Sequence, residues 1–416
     1  MKALVLCGGI PQIALINELK DRGITTILAD MNENAPARKY ADIFYPVSTL
    51  DVEGIKNLAI KESVDFLITV CADQVLQVVA QVSEILGLPC YIDYKTAENV
   101  SKKSYMKNIF IKSGVPTSQY VITDELNEES ISNLKYPLIV KPIDSYSSRG
   151  VRKVNNFNEL AQAFEEAKKI SRTGNAIIEE FVSGNELTVD AYIENGTAHV
   201  LCISNLSKVN DSTRFVIHRS EYPAQISDDV KHQIKETAQK IADGFGLENS
   251  PLLIQLINTG DKISVIEFCA RTGGGVKFAM IKRVTGFDVV KAVVDLTLGL
   301  KPHVEEYNGT QKYIINEFFY CAPGTFDHLE GFEELLEDGI ISEYHQLKKA
   351  GFEFNDIKSS GDRVACYTIE STDFDDLRMR HKLANQRVKA VDISGKDLIK
   401  HEIAEQFEYD LVSGDK

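Results

Sequence analysis

The sequence predicts a multidomain chain of mixed α/β and α+β class, because the pattern of apolar residues changes twice along its 416 residues. Near the N-terminus, strand-like segments alternate with amphipathic helices, which is typical of a parallel sheet. In the middle of the chain, β-rich runs are joined by short polar turns, which favours antiparallel sheets. From residue 313 to about 392, short strands and helices alternate again. This last region is predicted to be a small C-terminal α+β subdomain.

The N-terminal segment has the order of a βαβ unit. A buried-type strand at 2–7 is followed by a turn at Gly8 and Gly9, a helix at 11–22 and a second strand at 25–29. The turn lacks the Gly-x-Gly-x-x-Gly spacing of a dinucleotide-binding site. The two glycines therefore either allow a tight turn or approach a ligand, and the sequence leaves both interpretations open.

Further strands and helices are predicted along the rest of the chain. A strand at 65–70 leads into a helix that begins at Asp73. Helices are also predicted at 96–112, 157–173, 227–244 and near 276–299, and residues 176–203 are strand-like. The polar stretch 204–223 holds His218 and Arg219 and is predicted to be a solvent-exposed loop. Its two arginines, Arg214 and Arg219, would suit an acidic ligand if the stretch faces a binding site.

Composition excludes several classes of protein. The net charge of −15 at pH 7 argues against a general nucleic-acid or acidic-membrane partner. No apolar run approaches the length of a membrane span, and residues 1–10 lack the pattern of a secretory leader. The seven cysteines form no Cys-x-x-Cys pair, so we expect reduced thiols in a cytoplasmic protein.

The segment 265–275 carries the densest set of chemically active side chains. Glu267, Cys269 and Arg271 alternate with apolar residues, so on a strand all three would share one face. Residues 252–257 form a second β-rich run, and the turn between the two runs predicts an antiparallel hairpin. A register with Leu253 opposite Glu267 would put Gln255 on the same face. The pattern alone fits a site for a metal and an anion, and it fits a hairpin with a surface salt bridge equally well.

Two upstream segments have the composition of a nucleotide site. Lys141 ends an apolar run and precedes a polar loop at 144–150, whose backbone N–H groups could surround a phosphate. Glu179 and Glu180 end a strand-like run, and Glu186 follows a turn. Such carboxylates suit an adenine amino group and a ribose diol. Taken singly, these lysine and glutamate residues fit solvated strand ends as well.

The order of these segments resembles the ATP-grasp superfamily. The order is Lys103 before Gly114-Val-Pro116, then Lys141 with its serine loop, then the acids at 179–186, and then Gln255 with the segment 265–275. The resemblance spans about residues 1–300, and the last hundred residues are similar to the C-terminal part of the biotin-carboxylase-like and amino-acid-ligase-like branches. It implies an N-terminal pre-ATP-grasp domain at 1–95, a two-lobed ATP-grasp domain with antiparallel sheets at 96–305 and a C-terminal subdomain at 306–416. The nucleotide lid would cover about 117–187.

The resemblance also implies roles for individual residues. Lys103 and Lys141 match the lysines that contact ATP phosphates, and Arg271 matches the arginine that steadies the transferred phosphoryl group and the substrate carboxylate. Glu179 matches the acid near the adenine amino group, and Glu186 matches the ribose-binding acid. The other implied nucleotide contacts are Ser147, Ser148, Arg149 and Gly150 of the closing loop, with Glu180 and Val182 at the adenine edge.

Gln255, Glu267 and Cys269 occupy the positions that hold Mg²⁺ or Mn²⁺ in the family. Glutamine keeps an oxygen donor, but a thiol is a poor ligand for Mg²⁺, which prefers hard oxygen atoms. Either water takes the place of the missing ligand, or the site has lost catalysis. As a third interpretation, Cys269 packs as a small residue under the nucleotide.

The implied activity is an ATP-dependent ligase that joins a small carboxylate, most simply an amino acid, to an amine through an acyl phosphate. Its partners would be the carboxylate and amine substrates. The sequence leaves open whether the chain forms a homodimer. Two alternatives follow from the same motifs. One is a bicarbonate-activating enzyme of the carboxylase or carbamoyl-phosphate-synthetase type. The other is a silent ATP-binding regulator with a degenerate metal site.

Overall fold

The computed structural model describes residues 1–144, 149–209, 215–306 and 309–405. It divides the chain into two compact units, which are described separately. The first unit comprises residues 1–146, 150–205 and 223–311, and the second comprises 147–149, 206–222 and 312–416. The boundaries expected near residues 95 and 305 stay a prediction.

Nineteen strands and twelve α-helices lie in the described ranges, and they are numbered in chain order. The elements up to residue 112 are β1 (Lys2–Leu6), α1 (Ile10–Asp21), β2 (Thr25–Ala29), β3 (Ile43–Tyr45), α2 (Val52–Glu62), β4 (Phe66–Ile68), α3 (Asp73–Leu86), α4 (Tyr94–Ser101) and α5 (Lys103–Lys112). The next are β5 (Tyr120–Thr123), β6 (Leu138–Pro142), β7 (Arg152–Val154), α6 (Phe157–Ile170), β8 (Ala176–Glu180), β9 (Asn185–Glu194), β10 (Thr197–Lys208), β11 (Ile217–Tyr222), α7 (Asp228–Phe245), β12 (Ser250–Asn258) and β13 (Ile263–Cys269).

The remaining elements are α8 (Lys277–Thr285), α9 (Val289–Thr297), β14 (Tyr313–Tyr320), β15 (Gly324–Glu330), α10 (Phe332–Glu337), β16 (Glu343–Gln346), β17 (Glu353–Phe354), β18 (Arg363–Ser371), α11 (Phe374–Arg387), β19 (Lys389–Asp392) and α12 (His401–Ala404). Short 3₁₀ helices cover Pro36–Tyr40 and Ser360–Asp362. None of the helices within the described ranges is long and apolar enough to cross a membrane.

The N-terminal part of the first unit is a parallel sheet in the order β3-β2-β1-β4, which confirms the predicted α/β architecture. Its central strand β1 is apolar on both faces. Ala3 and Val5 pack into one core, and Leu4 and Leu6 pack into another. A strand buried on both sides needs a continuous apolar run, and this is the pattern found in the sequence.

Two helices expected to be continuous are interrupted. The helix predicted at 96–112 is split at Lys102, whose backbone is extended with φ −91° and ψ 106°. The helix predicted near 276–299 ends at Gly286, which adopts the left-handed φ of 71°, and restarts where the Asp288 side chain caps α9. Helical periodicity continues across both interruptions, so it does not reveal them. The first interruption starts α5 at Lys103.

Two antiparallel sheets complete the first unit, as predicted for the middle of the chain. The smaller has the order β5-β8-β6-β7, and α6 packs on it through Leu160 and Phe164. The larger has the order β13-β12-β9-β10 within this unit. One of its faces is apolar and packs against α7, with Val189, Ile254 and Phe268 among its contacts. The opposite face is therefore available for polar side chains.

The second unit contains antiparallel strands in the order β11-β14-β18-β16 and a small sheet in the order β17-β15-β19. With α10 to α12 they enclose one apolar core, which confirms the predicted α+β subdomain. The expectation of an exposed loop around His218 and Arg219 is wrong, because both residues lie on β11 and are fully buried. They surround the buried carboxylate of Glu317, with His218 Nδ1 at 2.8 Å and Arg219 Nε at 2.5 Å. His381 Nε2 lies 2.9 Å from the same carboxylate.

Candidate active site

The polar face of the larger sheet holds a row of oxygen-bearing side chains. Gln255 lies directly opposite Glu267, Thr188 lies opposite Gln255, and Ser204 lies opposite Thr188. The register with Leu253 opposite Glu267 is wrong, because Leu253 pairs with Cys269 and a bulge follows Gln255. Residues directly opposite each other in a sheet share a face. Gln255, Glu267 and Cys269 therefore lie on one side, as the sequence predicted.

The interrupted helix brings Lys103 to this row. Its Nζ lies 2.6 Å from Glu267 Oε2, and Lys103 is buried at 8% exposure. Burial raises the pKa of the Glu267 carboxyl, but the charges of Lys103 and Lys141 outweigh it and the pKa is lowered. Glu267 is thus held as a carboxylate at neutral pH.

Lys141 reaches a second carboxylate, Glu179 on the neighbouring strand β8. Its Nζ lies 2.5 Å from Glu179 Oε2, and the Nζ of Lys107 lies 2.5 Å from Oε1. Burial raises the pKa of Glu179, yet the two lysines lower it to about 2. Lys107 also donates to Thr117 Oγ1 over 2.6 Å. The carboxylate therefore lies between two buried ammonium groups.

Reasoning from the sequence did not identify Lys107. Its spacing from Lys103 could have indicated it. Lys107 follows Lys103 by four residues, and positions i and i+4 share one face of a helix. Without the position of Glu179, that spacing could not be told apart from two solvated lysines. Burial lowers the pKa of Lys107, although Glu179 opposes this shift.

Arg271 lies just beyond the end of β13, where it pairs with a residue that the sequence did not single out for chemistry. Its Nε and Nη2 donate to the two carboxylate oxygens of Asp73 over 2.6 Å and 2.7 Å. The two residues are separated by 198 positions in the chain. No local pattern could therefore have linked them.

Cys269 faces the same carboxylate. Burial, followed by the charges of Asp73 and Glu267, raises the pKa of the thiol well above its usual range. Its role as a metal position stays a prediction.

The remaining predicted nucleotide contacts lie around the strands β6 to β9. Gln255 Nε2 donates to Glu186 Oε1 over 3.4 Å, and Glu180 accepts from the backbone of Lys135 over 2.9 Å. Val182 is half-buried in the turn between β8 and β9. The closing-loop residues divide into two groups: Arg149 and Gly150 are described, with Gly150 at a left-handed φ of 77°, whereas Ser147 and Ser148 lie outside the described residues.

The side-chain oxygens of this sheet face are possible ligands for Mg²⁺. In the described ranges, no three His, Cys, Asp or Glu side chains form a metal-binding group. Glu267 and Gln255 nevertheless present side-chain oxygens from directly paired positions. Mg²⁺ commonly uses one or two protein oxygens together with water and phosphate oxygens, so this pair fits the ion. The thiol of Cys269 does not fit it.

Comparisons with known proteins match large parts of the chain. A family model described as an ATP-grasp domain matches residues 134–279. The formate-dependent phosphoribosylglycinamide formyltransferase of Methanocaldococcus jannaschii is 26% identical over 320 residues, which cover 72% of this chain and 78% of that protein. The protein of the same name from Mannheimia succiniciproducens is 25% identical over 251 residues, 59% of this chain and 63% of that protein. The chain thus spans less than two thirds of this second relative.

A solved structure shows the same fold over nearly the whole chain. The L-amino acid ligase of Bacillus licheniformis superposes with a TM-score of 0.79 at 19% identity, and the match covers 94% of this chain and 98% of that one. At that identity the likeness shows the fold alone. Residues 134–279 are therefore similar to an ATP-grasp domain, within a chain that shares the fold of this ligase.

Proposed function

We propose that this enzyme activates a small carboxylic acid with ATP, as an acyl phosphate, and joins it to an amine. An amino acid is the proposed acid. The observation that carries the proposal is the meeting of Lys103 with Glu267, at 2.6 Å, on a sheet face where Gln255 lies opposite Glu267. ATP and Mg²⁺ are the cofactors of the superfamily. A row of cations and oxygen donors is what phosphoryl transfer needs, because its catalysis is mainly positioning and neutralisation of charge.

Each group has a proposed task. Lys103 and Lys141 bind phosphate oxygens of ATP, for which an ammonium acts as a point charge. Glu267 and Gln255 would hold Mg²⁺, which would supply positive charge to offset that of the phosphates, and water would replace the ligand that Cys269 cannot provide. Arg271 stabilises the oxygens that gain charge during transfer, since its planar fork suits phosphoryl and carboxylate groups.

The nucleotide base and ribose are proposed to lie beside β8 and β9. Glu186 would accept hydrogen bonds from the ribose hydroxyls, and the backbone near Glu180 and Val182 would meet the adenine edge. Glu179 is proposed to lie near the adenine amino group, although its carboxylate is occupied by two lysines in the ligand-free protein. The loop that holds Ser147, Ser148, Arg149 and Gly150 would close over the phosphates.

The proposed reaction transfers one carboxylate oxygen of the substrate to phosphate, and this transfer can be followed with ¹⁸O. A carboxylate oxygen forms a bond to the γ-phosphorus, and the bond to the bridging oxygen of ATP breaks, so that ADP leaves with the electron pair. The amine nitrogen then forms the C–N bond, and phosphate departs with the original carboxylate oxygen. Substrate ¹⁸O must therefore appear in inorganic phosphate.

The decisive experiment incubates the enzyme with ATP, Mg²⁺, a pool of ¹⁸O-labelled amino acids and a pool of unlabelled amines, followed by mass spectrometry. We expect ADP release that requires both pools, labelled phosphate and a condensed product. Glu267→Ala should lose turnover by about a hundredfold or more while it still binds ATP. A fully active Glu267→Ala would contradict the site assignment.

Two parallel arms distinguish the alternatives. Formate replaces the amino acids in one arm, because two of the sequence relatives are named as formate-dependent formyltransferases. Bicarbonate replaces them in the other. If the enzyme turns over with only formate or only bicarbonate, that acid is its substrate and the amino-acid proposal is wrong. Tight ATP binding without turnover in every arm would overturn the ligase proposal and support the silent regulator.

A further inference from the structure

The backbone between β4 and α3 is tightly constrained. Cys71 has a left-handed φ of 60°, which is uncommon for a residue with a side chain and tends to occur at functional sites. The buried Gln12 on α1 donates to the carbonyl of Val70, the preceding residue, over 2.7 Å. Asp73 follows as the first residue of α3. These two constraints hold the backbone that leads into Asp73.

That carboxylate determines which donors of Arg271 are free. A guanidinium carries five N–H groups. Asp73 accepts one from Nε and one from Nη2, and the carbonyl of Thr272 accepts one from Nη1 over 2.7 Å. Two N–H groups remain, one on each terminal nitrogen. They are sufficient for two oxygens of one phosphoryl or carboxyl group.

The pair lies among the residues proposed to act on ATP. Asp73 and Arg271 line one pocket together with Lys103, Glu267 and Cys269. Because two donors of the guanidinium bind the two oxygens of Asp73, the carboxylate and the guanidinium fix each other's plane. The charge of Asp73 also offsets that of Arg271, so the guanidinium can be buried here without a ligand.

We propose that Asp73 is a positioning residue of the ligase reaction, which fixes the guanidinium plane of Arg271 so that its two free N–H groups meet the oxygens of the transferred phosphoryl group. The inference rests on the proposed function. Asp73 itself touches no reacting atom. Groups that orient a catalytic side chain in this way are commonly worth about 10–100-fold in activity.

The test compares Asp73→Asn, which removes the charge at nearly constant size, with Asp73→Glu, which keeps it. Glu53→Gln is the matched control, since Glu53 also lies in the first turn of a helix but is exposed and pairs with Lys56 at the surface. With ATP, Mg²⁺ and the amino-acid and amine pools, we expect Asp73→Asn to lower kcat at least about tenfold. The KM for ATP should stay within about twofold, Asp73→Glu should recover part of kcat, and Glu53→Gln should match the wild type. Wild-type kcat in Asp73→Asn would overturn the proposal.

Two further measurements separate positioning from general support of the fold. If Asp73 acts through Arg271, Asp73→Asn should cost less than about threefold in an Arg271→Lys background, and an undiminished cost there would overturn the proposal. The second measurement does not need turnover. Phenylglyoxal should modify Arg271 faster in Asp73→Asn than in the wild type, as read by peptide mass spectrometry. If the wild type shows no ligase activity, the proposed function fails, whereas equal labelling rates overturn the positioning role of Asp73.

Discussion

Lys107 Nζ lies 2.5 Å from Glu179 Oε1, and both side chains are almost completely buried. The same carboxylate binds Lys141 through its other oxygen. If Lys141 turns toward a phosphate during catalysis, Lys107 still compensates the charge of Glu179. The pair therefore ties α5 to β8 independently of the nucleotide.

Replacing Lys107 with methionine should destabilise the protein by about 3 kcal/mol, because a buried carboxylate loses one of its two partners. Lys102→Met is the matched control, since Lys102 is 53% exposed and pairs with Glu98 at the surface. That variant should lose less than about 1 kcal/mol. Urea unfolding followed by circular dichroism measures both changes. Equal stabilities of the two variants would contradict a structural role for the Lys107–Glu179 pair.

Glu179 should make stability depend on pH in the acid range. Its pKa is lowered to about 2 in the folded protein from an ordinary 4.5, so its contribution is fully present above pH 4.5 and is lost as the pH falls toward 2. Glu179→Gln should be less stable than the wild type near neutral pH, and its stability should fall less steeply below pH 4.5. Unfolding midpoints at several pH values test this, and parallel curves for the two proteins would show that Glu179 does not contribute.

The thiol of Cys269 should be dispensable for metal binding. Because Mg²⁺ binds oxygen in preference to sulfur, Cys269→Ala should keep the Mg²⁺ concentration for half-maximal turnover within about twofold. Glu267→Gln, which weakens an oxygen ligand, should raise that concentration by about tenfold or more. A Mg²⁺ titration of ADP release compares them. If both variants shift the requirement equally, Cys269 takes part in the metal site.

Adjacent glycines after β13 should differ in their tolerance of a side chain. A Cβ at Gly273 would lie 2.6 Å from Asp190 Oδ1 and 3.0 Å from Lys277 Cβ, whereas a Cβ at Gly274 would meet nothing within 4 Å. Gly273→Ala should therefore cost about 1–3 kcal/mol, and Gly274→Ala about 0.5 kcal/mol or less. Thermal unfolding of both variants measures this difference. Equal losses would mean that the turn relaxes around the added methyl group.

The buried charge cluster of the second unit should be essential for its stability. The carboxylate of Glu317 contacts Arg219, His218 and His381. Burial raises the pKa of Glu317, but these neighbours outweigh it and hold the pKa far below its usual range. Glu317→Gln should cost about 3–5 kcal/mol, because the buried guanidinium of Arg219 would lose a counter-charge. Asp338→Asn is the control, because the Asp338 side chain is 52% exposed and pairs with Arg387 at the surface. This variant should lose less than about 1 kcal/mol. A Glu317→Gln variant as stable as the control would mean that the cluster contributes nothing.

The sequence by itself determined the fold class, the resemblance to the ATP-grasp superfamily and the face shared by Gln255, Glu267 and Cys269. These features are local: strand alternation assigns a face, and the order of short motifs carries the resemblance. The same local reasoning failed at Lys102 and Gly286, where helical periodicity continues through a break in the backbone. It also failed at Arg219, because charged residues in a polar stretch resemble a loop until their partner Glu317 is known.

Only the tertiary structure decided which charges meet. Asp73 and Arg271 are 198 residues apart, and Lys103 and Glu267 are 164 apart, so no spacing in the sequence relates them. In the folded chain, Asp73 at the start of α3 lies beside the end of β13, and Lys103 at the start of α5 lies beside Glu267. A buried ion pair depends on burial and distance, which are properties of the packed chain. The roles of Asp73 and Lys107 could therefore be inferred only after folding had placed their partners.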